Sequence, residues 1–131
     1  MGTRSTVKFY ENDNCICSIY QQYYGDLSGV GKELAEFLAK KKMVNGYKMD
    51  VENQANGMGC LVAQYIAQFK KSVGGLYISD KDDEQEYNYK VFQTVDGVLI
   101  MQAFDVCNDY LYSGKPSVFL IMLENGDFDE E

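Results

Sequence analysis

Two stretches of similar sequence, "SGVGKELAEFLA" at Ser28–Ala39 and "NGMGCLVAQYIA" at Asn56–Ala67, determine the helical part of the fold. At an offset of 28 residues, four positions are identical and most of the others keep their residue type. Each copy has a capping residue, a Gly-x-Gly start and then apolar residues at helical spacing. The repeat predicts two amphipathic helices that begin with the same backbone geometry.

The glycine-rich starts of these two helices are candidate binding elements. The first amides of a helix lack intrahelical acceptors, and glycine leaves them unshielded, so two such starts could converge on one anionic ligand. The alternative is that the glycines only allow close packing of the helices against a sheet. Neither familiar nucleotide motif is present, because Gly25 is one residue too far from Gly31 for the triphosphate loop and Leu34 occupies the third glycine position of the dinucleotide motif.

The rest of the chain is predicted to be mainly β-structure. "RSTVKFY" and "CICSIYQQYY" alternate around the turn formers "ENDN" and predict a hairpin. Three more strands are predicted in "GLYISD", "EYNYKVFQTV" and "VLIMQAF", the last two joined by an Asp96-Gly97 turn. "KPSVFLIML" fits a strand or a short helix begun by Pro116, and we favour the helix.

These elements predict an α+β fold in which an antiparallel sheet is covered on one face by two helices. The helices are inserted between the second and third strands, giving the order ββααβββ with a possible short C-terminal helix. Strand "VLIMQAF" is apolar on both faces, and one face of the sheet would stay uncovered. We therefore expect a homodimer or higher homo-oligomer.

Length and charge limit the classes of function. The 131 residues predict a single domain, 1–131, with an acidic, flexible tail at 124–131. A formal net charge of -8 argues against direct binding to nucleic acid. The longest apolar run, Val118–Leu123, is too short to cross a bilayer, and the N-terminus has no signal-peptide pattern, so a cytoplasmic location is expected.

The residue inventory argues against metal sites and most catalytic machinery. The chain has no histidine, which removes every catalytic triad and the usual general base. Its four cysteines are not spaced as a zinc site or a disulfide framework, so we expect free thiols. A non-enzymatic protein without a metal or a cofactor is the expectation.

Three segments, "GTRST", "IYQQYYGDLSGVGKELAEFL" and "ANGMGC", carry a resemblance to known proteins. Together they resemble a family of small uncharacterised proteins found in phage and bacterial genomes. The chain departs from that family at residues 24–27, where Tyr-Gly-Asp-Leu replaces an aspartate-glycine-tyrosine-proline turn. The resemblance implies a phage-like origin, hence the host cytoplasm, and small phage proteins of this size are often antagonists of bacterial defence.

Two functional hypotheses follow. In the first, the protein sequesters a phosphate-bearing nucleotide, with an arginine and glycine amides on the phosphate and tyrosines stacking on the base. In the second, an acidic inhibitor mimics nucleic acid and binds a host defence protein through the loop at 80–86 and the tail, both of which the sequence predicts to be solvated. The ligand-binding residues predicted by the first hypothesis are Arg4, Tyr23, Gly29, Gly31, Lys32, Asn56, Gly57 and Gly59.

Overall fold

The computed structural model describes residues 2–45 and 53–128, which contain eight strands and three α-helices. The strands and helices that come before the second helix are β1 (Ser5–Glu11), β2 (Asn14–Gln21), a π-helical turn (Leu27–Gly31), α1 (Lys32–Ala39), β3 (Lys42–Val44) and β4 (Gln54–Asn56). The remaining ones are α2 (Gly57–Phe69), β5 (Leu76–Ser79), β6 (Tyr87–Gln93), β7 (Leu99–Asp105), β8 (Tyr110–Gly114) and α3 (Pro116–Glu124).

Six strands form one mixed sheet in the order β5-β2-β1-β6-β7-β8. All neighbours pair antiparallel except β1 and β6, which are parallel. The α+β class is confirmed, but the prediction of a wholly antiparallel sheet is wrong because the central pair is parallel. The predicted order ββααβββ is also wrong, since β3 and β4 form a separate parallel pair between the first two helices.

Local turn chemistry explains the two hairpins, and both are confirmed. Asn12 and Asp13 have φ values of 51° and 69°, the left-handed conformation that a two-residue turn between antiparallel strands needs at both positions. At the second hairpin, Gly97 has φ 87° and its N–H donates to the carbonyl of Thr94 at 2.9 Å. These turns fix the pairing of β1 with β2 and of β6 with β7.

The core lies between one face of the sheet and the helices. Tyr65 of α2 contacts Phe9 of β1 and Phe37 of α1 edge-to-face, with ring centroids 5.6 and 5.3 Å apart. The C-terminal helix is confirmed, and its Phe119 is fully buried. Phe128 of the predicted flexible tail stacks on Phe119 at 5.2 Å and packs against the core, while residues 129–131 lie outside the described residues.

The opposite face of the sheet is crossed by the loop between β5 and β6, residues 80–86. Lys8 points to this face because it alternates with the core residues Val7 and Phe9. Its side chain is 2% exposed, and its Nζ donates to the carbonyl of Asp83 at 2.5 Å and to Oε2 of Glu84 at 2.7 Å. The acidic loop, predicted to be a solvated segment, is therefore anchored on the sheet by a buried lysine.

Candidate functional site

The two repeated helix starts lie at opposite ends of the sheet. Gly29 lies near the N-terminal end of β1. Four residues before it, the N–H of Gly25 donates to the carbonyl of Thr3, just ahead of β1, at 3.0 Å. Gly57 lines a cavity of about 630 Å³ with Asn12, beyond the other end of β1. Because β1 has seven residues, these ends are about 20 Å apart. The two helix starts therefore do not converge on one ligand.

The predicted common backbone geometry of the two starts is also wrong. Gly29 and Gly31 belong to the π-helical turn, and their N–H groups donate to the carbonyl of Asp26 at 3.0 and 3.2 Å. Gly57 instead adopts φ 86° at the start of α2. The first glycine pair thus uses its amides inside the protein and does not present them to a ligand.

Close packing explains the first glycine pair. A Cβ on Gly29 would lie 2.0 Å from the carbonyl oxygen of Tyr24, and a Cβ on Gly31 would lie 3.1 Å from the hydroxyl of Tyr89. At Gly59, by contrast, an added Cβ meets no described atom within 4 Å. The packing alternative accounts for Gly29 and Gly31 but not for Gly59.

Two further predicted residues lie on the surface near these starts. Lys32 is exposed at the first position of α1, and Asn56 is exposed at the position before α2. Lys32 lines neither the cavity that contains Gly57 nor the cavity that contains Arg4, and Asn56 lies beside Gly57 at the C-terminal end of β1. Neither residue joins Arg4 in a common site.

Arg4 and Tyr23 do come together, in a cavity of about 860 Å³ at the N-terminal end of β1, which we name the Arg4 cavity. Tyr23 and Tyr24 are 56% and 77% exposed, large values for aromatic residues. The sequence prediction missed Tyr24 and the two carboxylates in this cavity. The residues that line it are Gly2, Thr3, Arg4, Gln22, Tyr23, Tyr24, Asp26, Glu86 and Tyr87.

The parallel pairing of β1 with β6 brings the end of the crossing loop to Arg4. The backbone N–H of Arg4 donates to Oε1 of Glu86 at 3.2 Å, and the N–H of Tyr87 donates to the carbonyl of Arg4 at 3.3 Å. A hydrogen-bonded set of Thr6, Gln85 and Asn88 holds the loop just before this point. No local sequence signal predicts this contact, because the residues involved are 82 positions apart.

The Arg4 cavity has mixed charge. It contains the only arginine of the chain and the carboxylates of Asp26 and Glu86. Within residues 2–45 and 53–128, no carboxylate forms an ion pair with the Arg4 guanidinium.

The buried Tyr89 lies behind the segment that carries Tyr24 and Asp26. Its hydroxyl donates to the carbonyl of Gly25, between these two residues, at 2.7 Å. Burial, and then the nearby carboxylate of Asp26, raises the pKa of Tyr89.

The sequence matches no protein-family model, and neither a curated protein nor a solved structure matches it. In the described part of the chain, no group of three or more histidine, cysteine or acidic residues could hold a metal ion. No helix among the described residues is long and apolar enough to cross a membrane. All four cysteines are unpaired. The case for a function therefore depends on the Arg4 cavity itself.

Proposed function

We propose that the protein is a small binding protein that sequesters a nucleotide-type ligand with a single phosphate in the Arg4 cavity. The observation that carries this proposal is the position of the only arginine beside two exposed tyrosine rings. A guanidinium binds phosphate oxygens in a bidentate manner, and aromatic rings stack on nucleobases. Both halves of a nucleotide thus find a chemical partner within one cavity.

The two carboxylates of the cavity fit the sugar of such a ligand. Carboxylate oxygens accept hydrogen bonds from ribose hydroxyls, as in dinucleotide-binding folds. Glu86 is exposed and Asp26 is half-buried. Each carboxylate accepts one hydrogen bond at one oxygen, from the N–H of Arg4 and the hydroxyl of Ser28, which leaves its second oxygen for a ligand. A nucleotide with a free ribose hydroxyl would use the arginine, a tyrosine and a carboxylate at once.

The charge of the cavity limits the number of phosphates. One arginine shares the cavity with two carboxylates, so a second or third phosphate would meet negative charge without a cationic partner. A nucleoside monophosphate or a cyclic nucleotide is therefore expected to bind more tightly than a triphosphate. The small number of cationic groups distinguishes this cavity from a triphosphate loop, which places a lysine and backbone amides around the phosphates.

The contacts of the acidic loop favour this proposal over the acidic-inhibitor hypothesis. Glu84 pairs with Lys8, and Asp80 accepts from the N–H of Asp82. Carboxylates that serve contacts within the fold are less available to imitate a row of phosphates. The antagonism of bacterial defence depends on the family resemblance alone and remains part of the proposal.

Isothermal titration calorimetry tests the proposal. The wild type is titrated with the four nucleoside 5′-monophosphates, their 3′,5′-cyclic forms and ATP. Arg4→Gln should weaken the binding of any monophosphate by about 1.5–3 kcal/mol, or about 10- to 150-fold, because a charged hydrogen bond is lost. Lys32→Gln is the matched control, since it removes one positive charge outside the cavity and should leave binding within about threefold.

Three results would count against the proposal. The absence of heat with every nucleotide would remove it altogether. Binding that Lys32→Gln weakens as much as Arg4→Gln would show a general electrostatic attraction instead of a site at Arg4. Tighter binding of ATP than of any monophosphate would contradict the limit to one phosphate.

A further inference from the structure

Tyr24 has a backbone conformation that bulky residues rarely adopt. Its φ is 59°, in the left-handed region that costs an L-residue free energy because Cβ crowds the backbone. The other three residues of this kind among those described are asparagine or aspartate, which tolerate the region well: Asn12, Asp13 and Asn108. Tyr24 is thus the one described residue at which this conformation requires a specific cause.

The surrounding backbone forces Tyr24 into this conformation. The N–H of Val30 donates to the carbonyl of Tyr24 at 2.6 Å, and the next residue, Gly25, donates to the carbonyl of Thr3 at 3.0 Å. Gly29 lies so close to the carbonyl of Tyr24 that only glycine fits there. The π-helical turn and the segment before β1 therefore hold Tyr24 from both sides.

Packing of the ring does not offset the strain. The side chain is 77% exposed, and among the described residues it takes part in none of the aromatic pairs of the fold. Backbone strain that the fold maintains without a packing benefit is found at ligand-binding sites, where it holds a side chain ready for its ligand. Tyr24 lines the same cavity as Arg4.

We propose that Tyr24 is the stacking platform for the base of the ligand and that Gly29 fixes its position. This inference rests on the proposed function and narrows the ligand class to molecules with a flat heterocyclic ring, as opposed to sugar phosphates. It also gives Gly29 a role in binding through Tyr24, without a contact between its amide and the phosphate. Because the backbone of Tyr24 is fixed before the ligand binds, part of the entropy cost of ordering this segment on binding is avoided.

The test compares Tyr24→Gly, Tyr24→Asn and Tyr24→Phe with the wild type, using AMP, 3′,5′-cyclic AMP and ribose 5-phosphate as titrants. Glycine and asparagine fit the left-handed backbone, so the urea midpoint of both variants should be unchanged or higher. Both should bind the better of the two adenine nucleotides about 5- to 100-fold more weakly. Tyr24→Phe should bind within about threefold of wild type, because it keeps the ring.

Ribose 5-phosphate and a distant tyrosine supply the controls. The sugar phosphate should bind the wild type and Tyr24→Gly equally weakly, because it has no base. Tyr110, which is 65% exposed in β8 and stacks on Phe104, is the matched aromatic control, and Tyr110→Ala should leave nucleotide binding unchanged. Equal nucleotide affinity of wild type and Tyr24→Gly, or a clear fall in the urea midpoint of both strain-relieving variants, would overturn the inference.

The outcomes separate this inference from the proposed function. Binding of a nucleotide that Tyr24→Gly leaves intact overturns the stacking role and keeps the Arg4 cavity. Failure of the wild type to bind either adenine nucleotide, together with the other nucleotides of the wider panel, overturns both.

Discussion

Replacing Gly29 by alanine should destabilise the protein far more than the same change at Gly59, although both are glycines of the repeated Gly-x-Gly starts. The Cβ of an alanine at position 29 would lie 2.0 Å from the carbonyl oxygen of Tyr24, where ordinary contact begins at 3.4 Å. The backbone would have to move by 3.4 − 2.0 = 1.4 Å. That movement disturbs the 2.6 Å hydrogen bond from Val30 to Tyr24.

Three contributions determine how much Gly29→Ala changes the free energy of unfolding. Overpacking costs about 1–3 kcal/mol, and the loss of one hydrogen bond costs about 1 kcal/mol. The lower entropy of the unfolded chain returns about 0.4–1 kcal/mol. We therefore expect Gly29→Ala to lower the free energy of unfolding by about 1–3.5 kcal/mol, a large share of the stability of a domain of this size.

The second glycine pair provides matched controls. Gly59 has open space around an added Cβ and lies within α2, so Gly59→Ala should be neutral or stabilise by up to about 1 kcal/mol. Gly57 also has open space, but its φ of 86° makes Gly57→Ala cost about 1–2 kcal/mol.

Urea unfolding followed by far-ultraviolet circular dichroism measures all three free energies. A Gly29→Ala variant within about 0.5 kcal/mol of wild type, or equal losses at Gly29 and Gly59, would refute the reasoning.

Three further predictions concern the loop, the buried tyrosines and self-association. Glu84→Gln should cost about 1–3 kcal/mol of unfolding free energy because it leaves the buried ammonium of Lys8 without its counter-charge. Lys8→Met should cost under about 1 kcal/mol. Urea unfolding in which Lys8→Met costs more than Glu84→Gln would contradict the prediction. Burial raises the pKa of Tyr65 and of Tyr89 above the ordinary value of 10.0, so the contribution of their protonated forms to stability is present below pH 10 and is lost as the pH rises above it. The loss per pH unit reaches at most about 1.4 kcal/mol for each tyrosine. Constant stability between about pH 10 and pH 11 would exclude this linkage. Light scattering should give at least twice the 14.9 kDa chain mass, and a monomer mass at micromolar concentration would end the proposal of a homodimer.

The parts of the fold that the sequence predicts are those encoded by neighbouring residues. The turn formers at Asn12 and Asp13 and the Asp96-Gly97 pair specify hairpins directly, because left-handed backbone is needed at those few positions. Helical spacing of apolar residues predicts α1 and α2, and Pro116 marks the start of α3. Each of these signals lies within the element that it describes.

The glycine repeat shows where such signals fail. Gly29 and Gly57 align in sequence, yet one packs against the Tyr24 carbonyl and the other adopts a left-handed conformation in open space. A Gly-x-Gly pattern shows only that two positions lack a side chain. Whether the absence serves close packing, a positive φ or a ligand is decided by residues distant in the sequence, which the pattern does not contain.

The parallel pairing of β1 with β6 is the long-range feature from which the candidate site follows. β5 pairs with β2 on one side of β1, and β6 pairs with β1 on the other side, so the short loop at 80–86 must cross the sheet. Crossing the face without helices requires a polar anchor, and the buried Lys8 meets Asp83 and Glu84 there. The same path ends beside Arg4 and delivers the carboxylate of Glu86 to the cavity. An acidic segment that the sequence predicts to be solvated surface thus becomes one wall of the Arg4 cavity, because strand order and not local composition decides where it lies.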